Sequence, residues 1–276
     1  MKHFYLIISD PDARSVRNTK EDLIRCLDHY GDAVTYDVHE GRLERDFEIP
    51  DSVDCLITLG GDGTMLRASR AAVRHDVAMI GINRGHIGYL TEMTEIQDVE
   101  EFIDRLVNDN FMIEERMMLD AKMYRDGELV FRDKALNDVM IGKNDFVHMM
   151  EYDVIVNGIL LNTYKADGIV ISSPTGSTGY SMSAGGPIAE PSAKLLILTP
   201  ICPHAINNRA MVLSAEDEIR VISRKGEMLI SCDGADGTLV LRNDEIVVRR
   251  SKYVTKFIKF RKTSFLEALQ TKMRSI

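Results

Sequence analysis

Residues Leu59-Gly60-Gly61-Asp62-Gly63-Thr64 set three glycines and a carboxylate between an apolar strand pattern, Asp54 to Leu59, and a helical pattern starting near Thr64. Glycines let the backbone turn tightly and approach a ligand with no Cβ in the way. The helix that follows would aim its unpaired N–H groups at an anion. The turn therefore suits a phosphate. Asp62 runs against that, because a carboxylate repels one; it fits if it holds a metal ion or takes a proton from an attacking hydroxyl. Strand–glycine–helix turns also serve packing alone in α/β proteins, so the turn by itself leaves function open. It is neither the P-loop, which needs Gly-Lys-Ser/Thr, nor the dinucleotide fingerprint with its different glycine rhythm.

The surrounding pattern supports an α/β region. Phe4 to Ile8, Ala33 to Val38, Asp54 to Leu59 and Val77 to Ile82 read as strands. Leu23, Leu27 and Tyr30 recur at helical spacing with Gly31 at the C-cap, and Val99, Phe102, Ile103 and Leu106 mark a second helix. Short continuous apolar strands between helices predict a parallel sheet. After about Phe111 the helical period fades. Asp126-Gly127 and Asn157-Gly158 each separate two strand-like runs, which is a hairpin signal. Further short strands, at Ile169–Ser172, Leu195–Thr199, Ile219–Ser223, Met228–Cys232 and Glu245–Arg249, predict an antiparallel β domain. Helix returns at the end, where Ser264 and Glu267 have capping-box spacing and Phe265, Leu269 and Met273 share a face. That helix should pack back on the first domain. The predicted division is 1–115, 116–253 and a returning segment 254–276.

Composition removes several classes. The 276 residues are 45% hydrophobic, enough for a sizeable core, and the net charge of −9 speaks against a dedicated nucleic-acid surface. No apolar run approaches the roughly 20 residues of a membrane span, and Met1 to Ser9 reads as a strand rather than a signal peptide. Cys26, Cys55, Cys202 and Cys232 are scattered, with neither zinc spacing nor a disulfide framework. Buried thiols in a reducing cytosol are the expectation. Met117-Met118 and Met149-Met150 read as core filler, and Arg249-Arg250 with Lys259 to Lys262 as solvated strand faces.

Two more segments carry chemistry. Gly81-Ile82-Asn83-Arg84-Gly85-His86-Ile87-Gly88-Tyr89-Leu90 follows a strand and would open on the same edge of a parallel sheet as the Asp62 loop, where ligands bind. A turn with a packed aromatic is the alternative. Ala166 to Pro187 reads as a strand followed by a long loop of small hydroxyl residues around Tyr180. Small side chains expose backbone groups, hydroxyls donate and accept, and the Tyr180 ring offers a stacking surface for a base.

These segments resemble the NAD kinase family, whose members make NADP from NAD and ATP. The likeness runs through nearly the whole chain: Gly60 to Thr64, Gly85 to Leu90, Leu136-Asn137-Asp138, Asp167 to Pro187, and Pro200-Ile201-Cys202-Pro203-His204 with Asn208-Arg209. Lipid kinases and phosphofructokinases share the first motif in related form; Thr175 to Pro187 is specific. The resemblance implies an N-terminal α/β domain with a parallel, Rossmann-like sheet, an antiparallel β-sandwich-like C-terminal domain, and a substrate lying between them.

It also implies roles. Asp62 would accept the proton of the adenosine-ribose 2′-hydroxyl, although a carboxylate held near Mg²⁺ is a weak base, so organising the metal is the rival role. Gly63 would give a backbone contact and Arg67 would reach a phosphate; a plain surface salt bridge is the alternative for Arg67. His86 and Tyr89 belong to the second glycine segment. Asn137-Asp138 stands where relatives usually have Asn-Glu, so the carboxylate reach is shorter. His148 matches a position that contacts the dinucleotide. Lys165, where many relatives have Arg, and Asp167 would face the dinucleotide; their two-residue spacing on a strand puts them on one face, and a cross-strand ion pair is the alternative. Thr178, Gly179, Tyr180, Ser181, Met182 and Ser183 match the adenosine-binding run, with Gly179 where Ala is common. Asp233-Gly234-Ala235 replaces the usual Asp-Gly-Gln, so an amide contact is lost, with a consequence for NAD against NADH preference.

The activity implied is transfer of the ATP γ-phosphate to NAD, with Mg²⁺ or a similar divalent ion on the ATP phosphates; no metal ligand is assigned. The resemblance further implies a cytoplasmic homodimer or homotetramer. ATP and polyphosphate both stand open as donors. The alternatives are a lipid or sphingoid-base kinase, which would want an apolar cleft where Thr175 to Ser183 is polar, and a non-catalytic dinucleotide sensor.

Overall fold

The computed structural model describes residues 1–83, 88–91, 99–144, 149–204, 209–260 and 265–274. In chain order the first elements are β1 (His3–Ile8), α1 (Arg14–His29), β2 (Thr35–Glu40), β3 (Cys55–Leu59), α2 (Asp62–Arg74), β4 (Ala78–Ile82) and α3 (Val99–Val107). Then come β5 (Met112–Arg125), β6 (Glu128–Ala135), β7 (Asp138–Lys143), β8 (Met150–Val156), β9 (Ile159–Ala166) and β10 (Gly168–Ser172). A 3-10 turn at Thr175–Thr178 leads into α4 (Tyr180–Ser183), followed by β11 (Leu195–Ile201), β12 (Met211–Ser214), β13 (Ile219–Lys225), β14 (Met228–Cys232), β15 (Thr238–Val240), β16 (Glu245–Lys259) and α5 (Phe265–Arg274). The chain forms two compact units, Met1–Glu115 with Thr255–Ile276, and Arg116–Val254.

In the first unit, β2, β1, β3 and β4 lie side by side, all parallel. The end of β16 adds at β4, where Phe257 pairs with Met79. Alternate residues of these strands face opposite ways. Phe4, Leu6 and Ile8, with Cys55, Ile57 and Leu59, pack with Leu23 and Leu27 of α1 and Phe102, Ile103 and Leu106 of α3. The other set meets α2, where the Met65 sulfur takes the Thr58 hydroxyl at 2.9 Å. Both sheet faces are thus covered, which is why these strands read as unbroken apolar runs. Two boundaries differ from the sequence reading. A 3-10 turn at Gly31–Ala33 delays β2 to Thr35, and α2 starts at Asp62, two residues before Thr64.

The second unit is antiparallel. One sheet holds β16, β13, β8 and β9, with the β5–β6 hairpin pairing through β5; the other runs β12, β11, β10, β7, β14, β15. Inward residues from both sheets, such as Tyr152, Val154, Val221 and Ile246 from one and Val139, Ile141, Ile169 and Ile171 from the other, form one core. This is sandwich packing. The two predicted hairpin turns are present: Asp126-Gly127 and Asn157-Gly158 all have positive φ, 51° and 86°, 49° and 81°, the paired left-handed conformation that matches strand twist.

The C-terminal segment from Thr255, the strand end and α5 alike, groups with the first unit. Among its described residues α5 is at most half-buried, and Leu266 is 67% exposed. The expected cap Ser264 lies outside the described residues. The four thiols are free; Cys55 and Cys232 are buried, but Cys26 is half-buried and Cys202 exposed, so the expectation of burial holds for two. Burial pushes the Cys55 thiol pKa up, marking an inert core group. Among the described residues no helix is long and apolar enough to cross a membrane.

Candidate active site

Parallel register lines up the strand ends of the first unit. Ile8 pairs with Leu59, and Leu59 with Ile82, so the segments leaving β1, β3 and β4 emerge at one edge, the ligand-binding edge of such sheets. Gly60 sits in their midst. Its N–H donates to the Ile82 carbonyl at 3.0 Å, and a Cβ on it would lie 2.5 Å from both Ser9 Oγ and Thr64 Oγ1. Only glycine lets the strands and α2 approach this closely.

Gly61 caps α2 and Asp62 is its first residue. The Asp62 carboxylate turns toward Gly88-Tyr89-Leu90. Tyr89 N–H donates to its Oδ2 at 2.8 Å and Leu90 N–H to its Oδ1 at 3.1 Å. A Cβ on Gly88 would run into this carboxylate. Bonds to a charged acceptor are about twice as strong as neutral ones, so two of them fix the orientation of Asp62. Burial, and secondarily Asp62, raise the Tyr89 phenol pKa.

Gly63 is exposed, and Arg67 stands one turn behind it, with Nη1 3.7 Å from where a Gly63 Cβ would sit. The Arg67 Nε is buried without a hydrogen-bond partner. Burial first, then Arg42, lower its pKa. Among the described residues Arg67 forms no ion pair, so the surface salt bridge is not what the structure holds. Two arginines and the N-terminus of α2 make this a place for an anion.

The second unit gathers another set of groups. Asn137 lies in the turn into β7 and Asp138 is the first residue of that strand. Asp233, left-handed at φ 54°, follows β14 and accepts three main-chain N–H groups: Leu136 at 2.8 Å, Asn137 at 2.8 Å and Asp138 at 3.1 Å. Its own N–H donates to the Asp138 carbonyl at 2.9 Å. Asn137 Oδ1 is buried without a partner. Asp138 is 7% exposed; burial, and after it the Asp233 charge, push its carboxyl up to about 7. A Cβ on Gly179 would lie 3.5 Å from Asn137 Nδ2 and 3.7 Å from Asp138 Oδ2. These two side chains therefore face the start of the Thr178–Ser183 run.

That run is not an open loop, as its composition predicted. It folds as the 3-10 turn and α4, with Thr178 Oγ1 on the Thr175 carbonyl at 3.4 Å and the buried Ser181 Oγ 3.2 Å from Thr199 Oγ1. Small residues are needed for this packing: a Cβ on Gly176 would strike the Asn137 main chain. The ring of Tyr180 and the Met182 side chain are left exposed, at 45% and 40%, and Ser183 is exposed too. Lys165 and Asp167 do not pair with each other. Lys165 pairs with Glu151 across the β8–β9 ladder at 3.6 Å, and Asp167 with Lys143 at 2.8 Å. His86 and His148 lie outside the described residues.

Two family models match the chain, the ATP-NAD kinase N-terminal domain over residues 5–111 and the ATP-NAD kinase C-terminal domain over residues 136–260. The chain belongs to the ATP-NAD kinase family. An NAD kinase of Lachnospira eligens is 38% identical, covering 99% of this chain and all of its own. One of Symbiobacterium thermophilum is 37% identical over 98% of both chains. Among solved structures, yeast NADH kinase complexed with NADH superposes with a TM-score of 0.83 at 22% identity, covering 98% of this chain and 86% of its own. An NAD kinase from Archaeoglobus fulgidus in complex with ATP gives 0.77 at 24% identity over 99% of both chains. These two likenesses speak to the fold.

Sequence reading missed Lys143, which holds Asp167, and gave no role to two residues within its motifs: Gly88, whose bare Cα admits the Asp62 carboxylate, and Asp233. Asp233 is matched by motif, but its carboxylate works on residues 95 to 97 positions away. No local spacing signals that.

Proposed function

We propose that this chain is an NAD kinase that transfers the γ-phosphate of ATP to the 2′-hydroxyl of the adenosine ribose of NAD, giving NADP and ADP. The observation that carries the reading is the Asp62 carboxylate, set at the N-terminus of α2 and oriented by the Tyr89 and Leu90 amides. In the reaction the hydroxyl oxygen bonds to the γ-phosphorus, the bond to the β–γ bridging oxygen breaks, and ADP leaves with that electron pair. The hydroxyl proton goes to Asp62. Each carboxylate oxygen has more than one lone pair, so accepting an amide does not exhaust it. Phosphoryl transfer asks mainly for positioning and charge neutralisation. Gly63 and the first turn of α2 supply main-chain donors, and Arg67, with its unpartnered Nε, supplies a cation.

Asn137, Asp138, Asp167, Lys165, Thr178, Gly179, Ser181, Met182 and Ser183 are the proposed dinucleotide contacts, with the exposed Tyr180 ring as the stacking surface for adenine. His86 and His148 stay in the proposed set by family likeness. Among the described residues no group of three His, Cys, Asp or Glu is arranged to hold an ion. A Mg²⁺ bound through nucleotide phosphates would need only one or two carboxylates; holding it is the rival role for Asp62, against taking the proton. When bound, the ion supplies charge neutralisation on the phosphates. The same family likeness supports domains at 1–115 and 116–253 with a returning segment, a homodimer or homotetramer, and a cytoplasmic location.

The test is direct. Purified protein with NAD, ATP and Mg²⁺ should yield NADP, read by an NADP-specific dehydrogenase, and should leave diacylglycerol and sphingosine unphosphorylated. Lipid phosphorylation without NADP would replace this reading with the lipid-kinase one. Tight NADP binding without turnover would replace it with a sensor.

A further inference from the structure

Asp233 collects the three amides of Leu136, Asn137 and Asp138, and returns its own N–H to the Asp138 carbonyl. The carbonyl side of the same short segment is held from elsewhere. Ser173 Oγ donates to the Leu136 carbonyl at 2.5 Å and Ser173 N–H to the Asn137 carbonyl at 2.8 Å. Gly176, with no Cβ, lets the Asn137 main chain lie against the 3-10 turn. The segment is thus clamped on its donors by Asp233 and on its acceptors by Ser173. Its side chains are left facing Gly179.

This clamp is an uneconomical way to make a turn. A neutral acceptor would satisfy amides without setting a second carboxylate beside Asp138, whose carboxyl pKa is raised by burial and then by the Asp233 charge. An arrangement that strains a neighbouring group beside a binding run is characteristic of functional sites.

We propose that Asp233 is a positioning residue for the acceptor dinucleotide, fixing Asn137 and Asp138 at the distance from Gly179 that the bound adenosine ribose requires. The inference rests on the NAD kinase reading above. Asp233 acts through the Asn137–Asp138 main chain rather than by touching substrate.

Around Asp138, Asp233 follows β14, and the Cys232 thiol ends that strand; β10 brings Ser172, and the 3-10 turn brings Thr175, whose Oγ1 takes Arg116 Nη1 at 3.4 Å. Among the described residues, burial first and then the Asp233 charge raise the Asp138 carboxyl.

Steady-state kinetics across pH 5.5–8.5, with NAD calorimetry and thermal melts, test this on wild type, Asp233→Asn and Asp233→Glu in the full chain. Asp233→Asn turns an amide toward three donors. It should raise KM for NAD about tenfold with KM for ATP within about twofold. It should also move the acidic limb of kcat/KM for NAD to lower pH, because Asp138 then ionises without a neighbouring charge. Asp233→Glu keeps the charge on a longer arm, so it should restore the limb and keep the raised KM; it decides the matter if the Asn variant does not fold. A folded variant of either kind with wild-type KM and NAD affinity overturns the positioning role. A wild type that makes no NADP overturns the kinase reading instead, and the two failures are distinct.

Discussion

The Asp62 carboxylate accepts the main-chain N–H of Tyr89 at 2.8 Å, across 27 residues of sequence. The bond joins the loop after β3 to the loop after β4 at one edge of a parallel sheet. Asp62 also starts α2, so its backbone is fixed by the helix and its side chain by the neighbouring loop. A group fixed at both ends loses little freedom when substrate arrives, which is the main demand of phosphoryl transfer.

Gly88 should be intolerant of any side chain. In Gly88→Ala the new methyl meets the Asp62 carboxylate and must turn it away from the Tyr89 and Leu90 amides. Misplacement by about 1 Å can cost ~10²-fold in rate, and a loss of that order in kcat is expected with the far-UV circular dichroism unchanged. A wild-type kcat would show that Asp62 does not need this orientation.

Tyr180 is exposed, so its removal should hardly disturb the fold. Stacking of a base on an aromatic ring is worth about 1–3 kcal/mol. Tyr180→Ala should therefore raise KM for NAD about tenfold or more while the urea midpoint stays near wild type. Unchanged NAD affinity by calorimetry would remove the ring from the adenine site.

Asp138 should make stability depend on pH. Its folded carboxyl titrates at about 7, above the ordinary value near 3.9, so the native state binds more protons than the unfolded chain between those limits. Stability then falls as pH rises through that window and levels off above it. Asp138→Asn removes the penalty. Its urea-unfolding free energy should gain on wild type from pH 4 to pH 8, by on the order of a few kcal/mol. Parallel curves for the two proteins would contradict this.

Tyr152 is fully buried in the second unit, and its hydroxyl donates to the Gly168 carbonyl at 2.8 Å. Burial first, then Tyr164, raise its pKa, so it remains a donor throughout the physiological range. Tyr152→Phe leaves that carbonyl without its donor and should cost about 1–2 kcal/mol in urea unfolding.

Much of this was legible beforehand because it is periodic or local. β1, β3 and β4 are covered on both faces, so their sequences are unbroken apolar runs, and Asp126-Gly127 and Asn157-Gly158 state their turn type in two letters. Other parts left no such trace. β16 runs to Lys259 through Arg249, Arg250, Lys252 and Lys256, and outward charges hid a 15-residue strand. β12 and β15 are only 4 and 3 residues long. In the candidate site, Asp62, Asn137 and Asp138 could be picked out by motif. Gly88 and Asp233 lie in motifs too, but their orienting roles could not be read: Gly88 acts by what it lacks, and Asp233 through main-chain bonds set by tertiary folding.

The central claim is that Asp62 takes the proton of the attacking hydroxyl, and Asp62→Asn tests it most directly. The substitution keeps size and shape while removing the base. With ATP, Mg²⁺ and NAD, NADP formation should fall by about 10²–10⁴-fold, with NAD affinity by calorimetry close to wild type. A folded Asp62→Asn protein that makes NADP at the wild-type rate would contradict the account.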